Sequence, residues 1–358
     1  MRILALNSSP RTGGQSKTEL MLNRLVEGMR HAGAHVEVIN LHKKNINNCI
    51  GCFTCWTKTP GRCIHKDDMT GELFGKWLGS DMVVYATPLY NYGVNATLKV
   101  FMERTIPSME PFFEVQDGRM FHPLRSKTPA VVMLSVAGMP DEHDFNPLSV
   151  HANYLSATPG RQLLAEIYRP AAELMTNPFF SEQLKDILDA TSQAGRELVQ
   201  SMKIAPTTME RIKQPIVTAQ SFSEMSNGFW KTCIAEGVTP KEFGKRQMVP
   251  RPDSLESFML FCPFGLKPEA AGDRKVILQF KFSGIVAGSC YFTIEKGKIM
   301  AEMGTWEGAD ITIEAPFDVW MDIMTRKADG QQMFMEQKYK VNGDIPLMIQ
   351  LFQRGNDG

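Results

Sequence analysis

The sequence predicts an α/β fold: a doubly wound, five-stranded parallel sheet, followed by a smaller α+β domain. The first observation is that five strongly apolar runs alternate with helical segments as far as about residue 205. Runs this apolar are typical of parallel strands that helices cover on both faces. The second is that the pattern of apolar residues changes after residue 253, where segments typical of strands and hairpins precede segments typical of helices. The third is size, because 358 residues suit two domains better than one core.

The individual elements follow from these patterns. The first helix carries Leu22, Leu25, Val26 and Met29 at helical spacing, and Gly33 stands where a C-terminal cap belongs. Further helices are expected over residues 69–78, from Asn95 onward, and over 181–202. The five predicted strands are residues 3–6, 36–39, 82–85, 130–134 and 163–167. We therefore expect domains at 1–205 and 253–358, with a connector at 206–252 that holds one helix at about 221–236.

Composition narrows the function classes. Lys plus Arg and Asp plus Glu both number 39, so no net charge attracts nucleic acid or an anionic membrane. The first apolar run is too short for a secretory signal, and no run of about 18 apolar residues occurs that could span a bilayer. We expect a cytoplasmic protein. Four of the seven cysteines fall between Cys49 and Cys63, which indicates metal or redox chemistry rather than disulfides.

A polar loop links the first strand to the first helix. The N-terminus of a helix offers free N–H groups and the positive end of the helix dipole, which together favour a phosphate. Hydroxyl donors and cations fill the loop, and Gly13 and Gly14 permit a tight turn. The loop lacks the glycine patterns of nucleoside triphosphatases and dinucleotide folds, so a single terminal phosphate, as in FMN, fits better. The alternative is an ordinary polar turn capped by serine. The polar donors are Ser8, Ser9, Arg11, Ser16, Lys17 and Thr18.

Two more loops are expected at the same edge of the sheet. In open α/β sheets, ligands lie at the carboxyl ends of the strands. The loop after the third strand presents Pro88, Leu89, Tyr90, Asn91 and Tyr92, whose aromatic and apolar groups suit a flavin ring. The fourth strand runs into a loop from Ser135 to Gly138. The alternative is that Tyr90 and Tyr92 are ordinary loop aromatics.

The cysteine segment has the spacing Cys49-x2-Cys52-x2-Cys55-x7-Cys63. Four thiolates this close in sequence can converge on one 4Fe-4S cluster. Free thiols are an alternative. A zinc site, with His65 as a spare ligand, is a third.

Three motifs in the first 205 residues resemble those of the NADPH-dependent FMN reductase family, and within it those of the iron–sulfur flavoprotein group. The likeness rests on Ser9-Pro10-Arg11 with Gly14 and Ser16, on Asp67-Asp68-Met69, and on Pro88-Leu89-Tyr90 with Leu98-Lys99 and Arg104. It covers about residues 1–205 and departs from the family at Gln15 and Glu103, where Asn and Asp are usual.

The resemblance implies a flavodoxin-like domain that binds FMN. Ser9, Arg11, Gln15 and Ser16 would hold the phosphate, and the Pro88–Tyr92 loop would hold the ring. It also implies electrons from NAD(P)H and a homo-oligomer. The group carries a similar cysteine ladder, and relatives without a cluster often keep similar cysteines. We assign no catalytic proton donor, because the cofactor carries the chemistry.

The second domain resembles the sterol carrier protein type-2 lipid-binding domain. The likeness lies in Phe280-Lys-Phe-Ser-Gly284, in the hairpin at 295–298, and in Lys340-Val-Asn-Gly-Asp344. It implies an apolar tunnel for a lipid-like ligand, while the alternative is a plain hydrophobic core or a docking module.

The sequence thus predicts an FMN-dependent NAD(P)H oxidoreductase, with a quinone or lipid-like small molecule as acceptor. Two alternatives stay open: an iron–sulfur flavoprotein that relays electrons between protein partners, and a non-enzymatic lipid carrier.

Overall fold

The computed structural model describes residues 1–11 and 14–353, apart from the side chain of Pro178. The chain folds into two compact units, unit 1 (Met1–Ile216) and unit 2 (Val217–Gly358). The first unit therefore includes the opening part of the predicted connector. The domain limits at 205 and 253 remain a prediction.

Unit 1 is built on five parallel strands. These are β1 (Arg2–Asn7), β2 (His35–Asn40), β3 (Met82–Pro88), β6 (Ala130–Val136) and β7 (Leu163–Arg169). Their order is β2-β1-β3-β6-β7. This is the strand order of the flavodoxin-like fold, with the switch in direction between β1 and β3. The predicted fold class is confirmed, and each predicted strand is found within its observed bounds.

The helices of unit 1 cover both faces of the sheet. They are α1 (Lys17–His31), α2 (Phe74–Leu78), α3 (Ala96–Glu103), α4 (Asn146–Ser156), α5 (Ser181–Ser201) and α6 (Pro206–Lys213). A short hairpin of β4 (Glu114–Gln116) and β5 (Arg119–Phe121) stands apart from the main sheet. The sequence predicted neither α4 nor this hairpin, nor did it predict α6, which lies in the connector expected to hold one helix at about 221–236. The helix predicted over 69–78 begins instead with a π-helical turn, Met69–Leu73, that leads into α2.

Glycines allow α1 and α5 to pack closely on one face. A Cβ at Gly28 would lie 1.8 Å from the carbonyl oxygen of Ser192, and one at Gly195 would lie 2.1 Å from that of Leu25. Backbone thus meets backbone at two places. The opposite face carries a core that includes Leu6, Tyr85 and Phe101.

Unit 2 is an α+β domain, as predicted. Its sheet has the order β10-β9-β8-β11-β12, antiparallel except for the parallel pair β8–β11. The strands are β8 (Val276–Ser283), β9 (Gly288–Glu295), β10 (Lys298–Met303), β11 (Ile311–Pro316) and β12 (Lys340–Gly343). The helices are α7 (Ala219–Glu236), α8 (Pro240–Lys245), α9 (Leu255–Phe261), α10 (Phe317–Met324), α11 (Gly330–Met335) and α12 (Ile345–Phe352).

Aromatic rings dominate the core of unit 2. Phe258 makes edge contacts with Phe280, Phe282 and Phe317, with centroids 4.8 to 6.4 Å apart. Phe280 and Phe282 lie two positions apart and therefore on the same side of β8. Phe258 of α9 and Phe317 of α10 pack against that side. Trp320 and Met321 are buried in the same core. None of the described helices has the length and hydropathy that crossing a membrane requires.

Candidate functional site

The phosphate loop ends in a well-formed helix cap. Ser16 is extended in backbone and buried, and its hydroxyl accepts a hydrogen bond from the N–H of Glu19 at 3.0 Å. Ser9 is also buried, whereas Gly14 adopts φ +78° at the exposed side of the turn. Gly13 lies outside the described residues. The N–H groups at the start of a helix, together with the helix dipole, are typical of a place that favours an anion.

Charged groups border the loop on one side. The guanidinium of Arg11 forms a 2.7 Å ion pair with Glu173, and the ammonium of Lys17 donates to the hydroxyl of Thr176 at 2.8 Å. Burial lowers the pKa of Lys17 below its ordinary value, the Glu173 carboxylate opposes that change, and Arg11 adds to it. Two cations and one carboxylate therefore surround the place where a phosphate is predicted.

Hydrogen bonds tie the predicted loops together at the carboxyl edge of the sheet. Ser8 donates from both its N–H and its hydroxyl to the carbonyl of Ala86, and the Asn95 amide donates to the carbonyl of Ser8 at 2.7 Å. The N–H of Leu89 donates to the carbonyl of Val136 at 2.8 Å. The loops after β1, β3 and β6 are thus held as one edge.

The loop after β3 projects its aromatic side chains into solvent. Pro88 is buried at the end of the strand and Leu89 is half-buried, while the side chains of Tyr90 and Tyr92 are exposed. Asn91 and Tyr92 both have positive φ, 47° and 63°, in a tight turn closed by mutual hydrogen bonds between Tyr90 and Gly93. Left-handed backbone at two non-glycine residues is strained and concentrates at functional sites.

The carboxyl end of β6 contributes a hydroxyl without a hydrogen-bond partner among the described residues. Ser135 is fully buried, and its Oγ finds no hydrogen-bond partner among the described residues. Gly138 is exposed, and a Cβ there would touch the side chain of Glu173 at 4.0 Å. A buried orphan donor at this edge fits a ligand with polar ring atoms.

The structure brings all three predicted loops to one edge, and it places Gln15 at an exposed position of the phosphate loop. Sequence reasoning expected a helix from Asn95 onward, and Asn95 caps α3, but it missed the hydrogen bond by which Asn95 links two loops. Its signal was its position directly before an amphipathic helix. Glu173 was also missed, because nothing in the sequence relates it to a loop 162 positions away.

The four clustered cysteines line one small cavity of about 20 Å³ that is open to solvent. As they stand, no three His, Cys, Asp or Glu side chains in the described residues are arranged to hold a metal ion. The predicted 4Fe-4S cluster is therefore not supported by the observed geometry. His65 shares the cavity, and its Nε2 is buried with no hydrogen-bond partner in the described part of the chain. The cavity is lined by Cys49, Ile50, Gly51, Cys52, Phe53, Cys55, Cys63, Ile64, His65 and Ile106.

The thiols of this cavity differ in environment. Cys52 is exposed, and hydrogen bonds from the side chain and backbone of Thr54 lower the pKa of its thiol. Cys55 is buried, and burial followed by the neighbouring Cys63 raises the pKa of its thiol. The sulfur groups are therefore near enough to influence one another.

Two family models match the chain. Residues 1–157 match the NADPH-dependent FMN reductase family, and residues 267–353 match the SCP-2 sterol transfer family. The chain joins a segment of each family. Both resemblances drawn from the motifs are thereby confirmed.

Curated relatives match the N-terminal part alone. An iron–sulfur flavoprotein of Archaeoglobus fulgidus is 36% identical over 107 residues, which are 30% of this chain and 46% of that protein. Another, from Methanocaldococcus jannaschii, is 35% identical over 104 residues, 29% of this chain and 50% of that one. An FMN-dependent NADH:quinone oxidoreductase of Paraburkholderia phymatum is 30% identical over 110 residues, 28% and 54% of the two chains. The chain spans about half the length of the curated relatives it matches.

Among solved structures, an NAD(P)H:quinone oxidoreductase of Methanothermobacter marburgensis is similar over 55% of this chain and 96% of its own, at 18% identity and a TM-score of 0.42. An FMN-dependent NADH-azoreductase of Bacillus anthracis, in complex with FMN, is similar over 56% and 99% of the two chains, at 14% identity and a TM-score of 0.43.

Proposed function

We propose that this protein is an FMN-dependent NAD(P)H oxidoreductase whose flavin binds at the carboxyl edge of the unit 1 sheet. The observation that carries the proposal is the joining of three loops at that edge: the capped helix N-terminus, the exposed Tyr90–Tyr92 turn and the buried orphan hydroxyl of Ser135. Each supplies one of the three needs of FMN, namely a phosphate cradle, a ring surface and a polar contact.

The residues of the phosphate loop fit a terminal phosphate. The first N–H groups of α1 have no intrahelical carbonyl acceptors, and the Ser16 hydroxyl takes up only that of Glu19. Ser9 and Ser16 hold hydroxyls at its buried side, and Arg11 and Lys17 lie at its rim. These groups bind and orient; none of them needs to transfer a proton.

The aromatic turn fits the ring. Tyr90 and Tyr92 expose 48% and 57% of their surface, although such side chains usually bury most of it. Burying them against a flat tricycle recovers apolar contact and excludes water from one ring face. A bound FMN would supply hydride and electron transfer between a nicotinamide and an acceptor.

The names of the relatives support a redox role. The matched family is that of NADPH-dependent FMN reductases, and one relative is an FMN-dependent NADH:quinone oxidoreductase. We propose a quinone or another lipid-like small molecule as acceptor. A ligand in unit 2, and assembly into a homo-oligomer, are further parts of this proposal.

The test is flavin binding and turnover by the full chain. We expect tight FMN binding, seen as quenching of flavin fluorescence, and oxidation of NADH or NADPH by a short-chain quinone. Tyr92→Ala should weaken FMN binding, whereas Tyr154→Ala should not, because Tyr154 is also exposed but lies near the C-terminal end of α4, outside the three loops. A chain that refuses added FMN would refute the proposal. Absence of flavin together with co-purifying lipid would favour the lipid carrier instead.

A second candidate is an electron relay that also uses the cysteine segment. It is favoured by the four cysteines that surround one cavity, and by relatives named iron–sulfur flavoproteins. Quantifying iron, acid-labile sulfide and flavin together in anaerobically purified protein decides it. Iron and sulfide that disappear in Cys52→Ser and Cys55→Ser variants, with FMN retained, would support the relay. Flavin without iron or sulfide would exclude the relay. Bound zinc would instead support a zinc site in the cysteine segment.

A further inference from the structure

The loop after β7 brings a carboxylate to the phosphate loop. Glu173 pairs with Arg11 at 2.7 Å, and Thr176, three residues later, accepts from the ammonium of Lys17. The two cations of the phosphate loop thus both contact the segment 172–176, which forms a short 3-10 turn. This segment is distant in sequence and belongs to neither flavin loop.

Backbone pairing fixes the position of Glu173. The N–H of Ala171 donates to the carbonyl of Met139, and the N–H of Ala172 donates to that of Ala137, both at 2.8 Å. Ala171 itself adopts a left-handed backbone, φ 51°. Two hydrogen bonds to the β6 loop therefore hold this strained turn, and Glu173 follows it directly. The fold therefore sets the backbone position of Glu173 beside the phosphate loop.

The Glu173 carboxylate adds a negative charge to a place where a negatively charged phosphate is proposed to bind. A bound phosphate monoester would bring about two negative charges at neutral pH, comparable to a phosphorylated side chain. Arg11 and Lys17 would match them, and Glu173 leaves the site with one negative charge in excess. A site that only needed to attract phosphate would lack this group.

We propose that Glu173 is an affinity-limiting residue of the phosphate loop, whose carboxylate competes with the flavin phosphate for Arg11. This inference rests on the proposed FMN site. It predicts that the native chain binds FMN less tightly than its cations permit, and that only ligands bearing a phosphate sense the competition. In the free protein, Glu173 also gives Arg11 a partner.

The experiment compares FMN with riboflavin, which lacks the phosphate, by flavin fluorescence quenching on the full chain. At low ionic strength, Glu173→Gln should lower the Kd for FMN about three- to tenfold, a modest range because both side chains of the pair are half exposed. The Kd for riboflavin should not change. Added salt should shrink the gain.

Two controls isolate the pair. Glu27→Gln removes a carboxylate from a similarly exposed ion pair with Arg24, about three turns along α1, and should leave both Kd values unchanged. In an Arg11→Gln background, the effect of Glu173→Gln should fall to within about twofold, because the competed group is gone.

The outcomes separate the two proposals. If the native chain binds neither flavin, the FMN site and this inference both fall. If it binds FMN but Glu173→Gln weakens or leaves unchanged the Kd for FMN, then Glu173 does not compete with the phosphate, and only this inference falls. A parallel gain for riboflavin would also overturn it, since it would show an effect independent of phosphate.

Discussion

The guanidinium of Arg104 forms a two-point ion pair with the carboxylate of Asp67, at 2.6 and 3.2 Å, and both side chains are almost completely buried. Arg104 also donates to the carbonyl of Asn47 and to the hydroxyl of Thr70. Asn47 and Asp67 flank the cysteine segment in sequence, and Arg104 ends the helix that follows the aromatic turn. The ion pair therefore fastens both ends of the cysteine segment to the C-terminal end of α3.

Asp67→Asn should destabilise unit 1 strongly. Removing the carboxylate charge leaves a buried guanidinium without its counter-ion, which typically costs about 3–5 kcal/mol. Urea unfolding of the full chain measures the loss. Asp186→Asn, which breaks a half-exposed pair with Arg211, is the matched control and should cost less than about 1 kcal/mol. Equal losses in the two variants would contradict the structural role of the buried pair.

The same pair predicts a pH dependence. Burial alone would raise the pKa of Asp67, yet hydrogen bonds from Arg104, Asn47 and Thr70 and the charge of Arg104 lower it well below its ordinary value. The folded pKa thus lies below the unfolded value of about 3.9, so the stabilisation is complete above that pH and is lost as the pH falls below it. Between about pH 6 and pH 3, the difference in unfolding free energy between native protein and Asp67→Asn should shrink. A difference that stays constant over this range would show that Asp67 does not titrate as the geometry implies.

Gly195→Ala should loosen the contact between α1 and α5. Its methyl group would lie 2.1 Å from the Leu25 carbonyl oxygen, so the helices must separate, which we expect to destabilise by about 2–3 kcal/mol. Gly75→Ala is the control, since Gly75 is exposed in α2 with open space around it. There alanine should be neutral or stabilise slightly, because it favours helix. Thermal and urea midpoints of both variants provide the comparison, and a tolerated Gly195→Ala would disprove the close approach.

The sheet was predictable because its central strands β1, β3 and β6 are covered on both faces and therefore appear as nearly uninterrupted apolar runs. Residues 82–88 are buried throughout, and their run stands out in the sequence. Helix α1 was predictable for a related reason, since one face is buried in a regular pattern. By contrast, α4 buries only Leu148 and Ala152, and the β4–β5 hairpin is mostly exposed. Neither leaves a strong periodic signal.

The candidate site was predictable only where it is local in sequence. The phosphate loop and the aromatic turn each lie directly after a strand, so position and residue type suffice. The pairing of Arg11 with Glu173 and of Arg104 with Asp67 depends on how distant segments meet in space. A single sequence does not show which of its distant residues are in contact.

The seven cysteines should react with an alkylating reagent at very different rates. Cys52 is exposed, and hydrogen bonds from Thr54 lower the pKa of its thiol, so it should react first. Cys262 and Cys290 are buried in unit 2, and burial raises the pKa of Cys290 to about 12, so both should react only on unfolding. Iodoacetamide labelling at neutral pH, followed by peptide mass spectrometry, tests the order. Protection of Cys52 that ends on metal chelation would instead reveal a bound metal in the cysteine cavity.

Ser135→Ala should separate folding from flavin binding. The Ser135 hydroxyl is fully buried without a partner in the described residues, so the free protein gains nothing from it. Its removal should leave the free energy of unfolding unchanged or raise it by up to about 1 kcal/mol, since an unsatisfied buried polar group is unfavourable. If the hydroxyl bonds the flavin, the Kd for FMN should rise about fivefold or more, in keeping with the usual net value of one hydrogen bond.

Thr87→Val is the control for this prediction. Thr87 lies opposite Ser135 on β3, and its hydroxyl already donates to the carbonyl of Pro88 and accepts from the N–H of Asn95. Its loss should therefore destabilise the free protein. Weaker FMN binding with unchanged stability in Ser135→Ala would assign this hydroxyl to the ligand, whereas lower stability with unchanged binding would place it among the groups that hold the sheet.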